Sequence, residues 1–330
     1  GVSWIDKLMP PVVIGPTVAI IGLSLASSAI GNLSKSDVTS GTTNFAVLCG
    51  LVALIATTLA STYGKKYTKM IPFIIGILSG YALAAVLTLI GNATGVESLM
   101  ISDFSAFTNL ASGGVTLSTF FSVPDFTFLT AAKGFSQVDA GYIGTVAVAY
   151  IPVAFVVFAE HIADHKNISS IIEKDLLKDP GLDRTLLGDG IGSIVGAFFG
   201  GCPNTTYGES VACVAITKNA SVATIITAAI ECIVLAFISP IVAFISSIPS
   251  CVMGGVCMAL YGFIAVSGLK MVQKVDLEQN KNLFVVSSIL IAGIGGLQLS
   301  FGKITITSIA CALILGIIVN KLLSKDPSAK

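Results

Sequence analysis

Few residues in this chain can do chemistry, and two carboxylates stand out by position. Glu160 closes the apolar run Ile151-Pro152-Val153-Ala154-Phe155-Val156-Val157-Phe158-Ala159 and leads into His161, Ile162, Ala163, Asp164 and His165. Glu209 lies in Gly200-Gly201-Cys202-Pro203-Asn204-Thr205-Thr206-Tyr207-Gly208-Glu209-Ser210. An ionised carboxylate inside a bilayer costs at least about 2.5 kcal/mol, so each one asks for a partner or a role. Held in low dielectric, such groups resist ionisation and can carry protons. Glu160 and Asp164 are four apart and share one helix face, as do His161 and His165. An i, i+4 histidine pair can hold zinc in HExxH helices, but Ile162 stands where that motif has its base, and the chain has only 2 His. No metal is therefore expected, and the histidines read as interfacial polar residues at a helix end. Asp189 reads as a helix-start residue or a core hydrogen-bond partner. Glu231 has no assigned role.

The stretch around Glu209 cannot be one continuous spanning helix. Pro203 removes a backbone donor, and glycine and β-branched threonine flank it. The pattern predicts a discontinuous span near 203–217, an extended piece followed by a half-helix that starts near Gly208. Irregular backbone at membrane depth survives only when buried in protein or lining a cavity. A half-helix N-terminus offers unpaired N–H donors, while Glu160 and Glu209 offer acceptors. A small planar ring with two N–H groups and two carbonyls, uracil-like or oxo-purine, fits that complement. A simple anion fits poorly beside two carboxylates. Proton-coupled symport follows as the expected activity, with no enzyme chemistry and no cofactor.

The elements that carry these groups must be membrane spans. Of 330 residues, 54% are hydrophobic and 11% charged, against roughly 25% charged in a soluble domain. With 18 basic and 18 acidic residues the net charge is zero, which leaves no field for a nucleic acid. The 7 cysteines show no CxxC pair and read as small buried hydrophobes. A span needs about 20 mostly apolar residues. Charge-free runs place spans near 11–33, 45–63, 71–91, 142–162, 186–201, 205–217, 221–240, 252–268, 283–300 and 304–323. The 92–139 segment, rich in Ser, Thr, Gly and Phe, reads as an irregular outer loop. Ser239-Pro240 and Pro249-Ser250 bracket a turn.

Positive charge sets direction. Lys65, Lys66 and Lys69 follow the second span, Lys166, Lys174, Lys178 and Arg184 the fourth, Lys270, Lys274 and Lys281 the eighth, and Lys321, Lys325 and Lys330 the last. Both ends of the chain are therefore expected in the cytoplasm. The agreement requires the short 205–217 segment to cross. Pro10 to Gly15 opens the first span and Pro249 to Gly254 the eighth at the same five-residue offset, seven spans later and in the opposite direction. That is the plan of an inverted repeat, as in many secondary transporters.

Four blocks in order carry a resemblance. Pro203-Asn204-Thr205-Thr206-Tyr207-Gly208-Glu209 with Ala215-Ile216-Thr217-Lys218 resembles the signature of the nucleobase/ascorbate transporter family, and within it of the bacterial uracil permeases. Ala159-Glu160-His161-Ile162, the loop Lys174–Leu182 with Arg184, and Val252-Met253-Gly254-Gly255-Val256 with Tyr261-Gly262 are similar in the same way. The resemblance implies an all-α, seven-plus-seven inverted-repeat fold in the cell membrane, of which this chain holds the last ten spans. Residues 1–91 would be gate spans of the first repeat, 92–139 the outer loop, 140–240 the second half of the core, and 241–330 the gate spans of the second repeat with the tail. It implies proton-driven import of uracil, commonly as a homodimer, and a chain that does not transport alone. Glu160 and Glu209 would bond the base, Tyr207 and Gly208 would complete the pocket, and Tyr261 would face it from the gate. Glu160, Asp164 and Glu209 would couple protons. Asp164 stands where close relatives often carry His, and Ser210 and Ala212 replace the motif's Asn and Gly. A xanthine or urate carrier of the same family and an anion exchanger of similar repeat are the alternatives.

Overall fold

The structure, a computed structural model, describes residues 10–324 apart from 40, 66, 124, 125, 135, 137, 203, 208, 209, 212, 213, 215–217, 302 and 303. Its elements are helices α1 (Pro11–Ser24), α2 (Ala26–Leu33), α3 (Asn44–Tyr63), α4 (Pro72–Thr94), α5 (Ser105–Ala111), α6 (Leu117–Phe120), α7 (Thr127–Gly134), α8 (Ala140–Ile172), α9 (Leu182–Phe198), α10 (Val222–Leu235), α11 (Ser239–Ser246), α12 (Ser250–Val272) and α13 (Asn280–Ile294), strands β1 (Leu299–Phe301) and β2 (Ile304–Ile306), and helix α14 (Ser308–Leu323). Among the described residues, four stretches are long and apolar enough to cross a membrane: Pro11–Leu33, α3, α4 and α12. Helices α10, α13 and α14 are shorter and also apolar. The chain is a helical, multi-pass membrane protein.

The ends of the helices follow local chemistry. Pro72 sits in the first turn of α4, where its missing N–H is no loss, and Gly95 takes φ 73° to end the helix. Asp139 caps α8 by accepting from the Tyr142 N–H at 2.6 Å. Helix α8 runs 33 residues, ten past the expected boundary at 162. The polar stretch from Glu160 to Ile172 holds no proline or glycine, so polarity alone does not end the helix. It stops where Glu173 turns left-handed at φ 55°.

Three other expectations shift. The 92–139 loop is not wholly irregular but holds α5, α6 and α7. The turn after residue 239 contains an eight-residue helix, α11, started by Pro240. The ninth and tenth spans are shortened where they meet, because Leu299–Phe301 pairs antiparallel with Ile304–Ile306. The β-branched Ile304-Thr305-Ile306 favours that hairpin over helix.

The chain divides into two compact units, Gly1–Ser24 with Phe126–Val214 and Tyr261–Lys330, and Leu25–Asp125 with Ala215–Leu260. In the first unit, α1 is the hub. Val12, Val13 and Ile20 pack with Val285 and Ile289 of α13 and Leu313 of α14. Ile14 and Val18 pack on another side with Ile162 of α8 and Leu182 of α9. This second cluster seats the site-bearing helix against α1.

In the second unit, Ala46, Cys49 and Ala53 of α3 pack with Ala84 of α4 and with Cys251, Val252 and Val256 of α12, all essentially buried. Small residues let the backbones close: a Cβ on Gly80 would lie 2.8 Å from the Ala53 Cβ, and one on Gly255 would overlap the Gly50 carbonyl oxygen. Asp37 reaches across 213 residues to cap α12, accepting from the Ser250 N–H at 2.7 Å and its hydroxyl at 2.6 Å.

Candidate functional site

The site assembles in the first unit from α8, α9 and the irregular segment that follows α9. Helix α9 ends at Phe198, and Gly200 turns the chain away at φ 93°. A side chain there would strike the Thr127 hydroxyl, so the turn requires glycine. Residues 204–207 then have no regular secondary structure, and Ser210, Val211 and Val214 are helical. Val211 and Val214, three apart, are both buried. The described residues thus run from an irregular piece into helical positions. Gly208 and Glu209 lie outside the described residues.

The segment is held on both sides by hydrogen bonds. Ser193 of α9 donates its hydroxyl to the Asn204 carbonyl at 3.0 Å. Thr205 donates its hydroxyl to Glu160 Oε2 at 3.2 Å. Glu160 itself is half-buried on α8. Its carboxylate therefore touches the very segment that leads to Glu209, 49 positions later in the sequence.

His161, the next residue, is the buried centre of the arrangement at 2% exposure. Its Nδ1 lies 2.6 Å from the Thr206 hydroxyl and 3.4 Å from Asp189 Oδ2, and its Nε2 lies 2.9 Å from the Thr185 hydroxyl. One ring thereby joins α8, α9 and the irregular segment. This corrects the reading of His161 as an interfacial residue. A buried imidazole must satisfy both nitrogens, and the threonines that do so come from 24 and 45 residues away. Asp189 resolves to the core-partner alternative. It lies well inside α9, not at its start. His165 stacks on His161 with ring centroids 4.0 Å apart and bonds the His161 carbonyl through Nδ1 at 2.9 Å. The two rings lie face to face and do not converge on a common point.

The other predicted residues are placed as follows. Asp164 is half-buried one turn beyond Glu160. Tyr207, the last described residue before 208, is 63% exposed. Tyr261 is half-buried on α12 where that helix crosses α1, its backbone carbonyl packed against Gly22. Glu231 is exposed on α10. Sequence reasoning missed Thr185 and the joining role of His161. The available signal was the histidine directly after a membrane carboxylate, which cannot stay unpaired if the carboxylate faces protein.

Several apolar helices of spanning length, with a polar, partly non-helical segment that meets a carboxylate, mark a multi-pass membrane protein. Comparison with known proteins narrows that class. The sequence model of the Permease family matches residues 1–301. The chain is 36% identical to the uracil permease of Bacillus subtilis (strain 168), over 100% of this chain and 71% of that protein. It is 36% identical to the uracil permease of Bacillus caldolyticus, with the same coverage of each. It is 33% identical to the uracil permease of Escherichia coli (strain K12), over 98% of this chain and 70% of that one. The chain belongs to this permease family, the nucleobase/ascorbate transporters. It is a transporter and not an enzyme.

Proposed function

We propose that this protein imports uracil across the bacterial cytoplasmic membrane, coupled to protons. The observation that carries the reading is the Thr205–Glu160 hydrogen bond, which ties the α8 carboxylate to the irregular segment before Glu209. A uracil edge presents ring N–H groups and carbonyl oxygens. Glu160 and Glu209 accept from the N–H groups, and backbone N–H groups around Tyr207 and Gly208 donate to the carbonyls. Tyr261 closes the site from the gate spans. Protons carried by Glu160, Asp164 and Glu209 offset the cost of moving carboxylates through low dielectric. The relatives' name, uracil permease, supports this substrate over an anion. The transporter works as a homodimer with its basic loops in the cytoplasm.

The test is uptake of labelled uracil by the intact permease in proteoliposomes at external pH 5.5 and 7.5. Uptake is expected to be faster at the lower pH. Glu160→Gln and Glu209→Gln are each expected to reduce it by about tenfold or more, the scale of losing a hydrogen bond to a charged group. Undiminished uptake in both variants would overturn the site. Competition by unlabelled xanthine, urate and sulfate reads specificity, and uracil is expected to compete best.

A further inference from the structure

We propose that His161 and Asp189 form a protonatable pair, distinct from the base-binding carboxylates, that sets the position of the irregular segment through Thr206. The proposal deepens the symport reading and rests on it for its substrate.

We assign the hydrogens on the arrangement in which Thr185 keeps its bond to Leu182. Thr185 donates its only hydroxyl hydrogen to the Leu182 carbonyl at 3.1 Å. In that arrangement its oxygen accepts from His161, and Nε2 carries a hydrogen. In the neutral ring Nδ1 is then the acceptor, and the Thr206 hydroxyl donates to it at 2.6 Å. But Asp189 Oδ2 faces the same Nδ1 at 3.4 Å. A carboxylate aimed at a nitrogen lone pair gains nothing, and the same contact becomes an ion pair once Nδ1 takes a proton. Nδ1 thus has two mutually exclusive arrangements. When it is bare, Thr206 is locked as donor. When it is protonated, Nδ1–H points to Asp189, Thr206 turns to accept, and its own hydrogen is released. Thr206 follows Thr205, the residue that donates to Glu160. A proton on His161 is therefore read one residue away from the proposed base-binding carboxylate.

The pair sits among other titratable groups, with Glu160 and Asp164 one and three residues away on α8. From α9 the group facing the ring is Asp189, and from α8 itself it is the stacked His165. Helix α1 carries no acidic or basic residue, and α14 carries Lys321 only in its last turn. The loop between α8 and α9 holds Lys174 and Lys178, which pair with Asp179 and Asp175 at 3.0 Å each. Among the described residues of the irregular segment, 204–207, Tyr207 is the only titratable one and its side chain is exposed. His161 acts through Thr206 and is a positioning residue.

Two measurements on the intact permease test this. Uracil binding is followed from pH 5 to 8, and the histidine rings are followed by ¹⁵N NMR over the same range without substrate. The wild type is expected to bind about fivefold or more tightly at low pH, within the usual range of coupling between sites. His161→Gln keeps a donor and an acceptor but cannot charge, so its pH dependence is expected to be at least about twofold smaller than the wild type's, the remainder belonging to the carboxylates. Asp189→Asn is expected to flatten the profile as well. In the NMR arm, the signal lost in His161→Gln is expected to show Nε2–H with bare Nδ1 at high pH and both nitrogens protonated at low pH, with the transition displaced in Asp189→Asn. An unchanged pH profile in His161→Gln, or one protonation state throughout, would overturn the proposal. If the wild type binds no uracil at any pH, the substrate reading fails and the NMR arm still decides the pair.

Discussion

Thr205 and Glu160 are the smallest unit at which the site can be tested. Thr205→Val keeps the shape and removes the donor to Glu160 Oε2. Uracil affinity is expected to fall roughly two- to tenfold, the net worth of one such bond, with folding intact because Thr205 is exposed. Equilibrium binding checks the affinity, and the thermal midpoint checks the fold. Outside the membrane, Asp175 sits beside the Lys178 ammonium at 3.0 Å, whose hydrogen bond holds its carboxyl below the usual carboxylate range. A depressed folded-state value adds stability above the unfolded value, and that stability is lost as pH falls through the folded one. Lys178→Ala is therefore expected to raise the Asp175 titration, followed by its carboxyl ¹³C shift, and added salt should shrink the difference. At this scale the sequence was legible where charge breaks an apolar run. Glu160 and Glu209 announce themselves that way. His161 did not, because its role depends on Thr185, Asp189 and Thr206, which local spacing cannot bring together.

The helices are fixed by close backbone approach as much as by apolar faces. Gly255 of α12 packs on Gly50 of α3 so closely that a Cβ would overlap the carbonyl oxygen of Gly50. Gly255→Ala is expected to lower stability by about 1–3 kcal/mol, the range for overpacking a core, and to reduce the thermal midpoint of detergent-solubilised protein. Gly262, on the same helix, has open space where its Cβ would stand. Gly262→Ala is expected to hold or raise the midpoint, since alanine outranks glycine in a helix by about 1 kcal/mol. Equal losses in both variants would show that helix crossing is not what constrains these positions. Sequence patterning found α3, α4 and α12 because each is an apolar run ended by charge. It misplaced the end of α8, where a polar stretch stayed helical, and it missed the β1–β2 hairpin. That hairpin replaces the ends of two apolar runs without any charge to mark the change.

Across the whole molecule the distribution of lysine carries the most information. The family resemblance was legible in four short blocks, one of which contains the non-helical residues 204–207. The segment 205–217, expected to cross, has 13 residues, against about 20 for a continuous spanning helix. An extended piece rises about 3.3 Å per residue against 1.5 Å in a helix, so a broken span gains length where it is unwound. The irregular residues 204–207 supply such a piece. The crossing has a sharp topological consequence. If the segment crosses, Lys65 after α3 and Lys274 after α12 lie on the same side of the membrane; if it does not, they lie on opposite sides. Lys65 and Lys274 are both exposed, as is Ser112 in the loop between α4 and α8. With native cysteines replaced, Lys65→Cys and Lys274→Cys are expected to resist a membrane-impermeant maleimide in intact cells and to react after permeabilisation. Ser112→Cys is expected to react in intact cells. Labelling of Lys274→Cys from outside, with Lys65→Cys protected, would mean that the segment bearing Glu209 enters and leaves by the same face. The proposed binding site would then have to be built from a re-entrant loop.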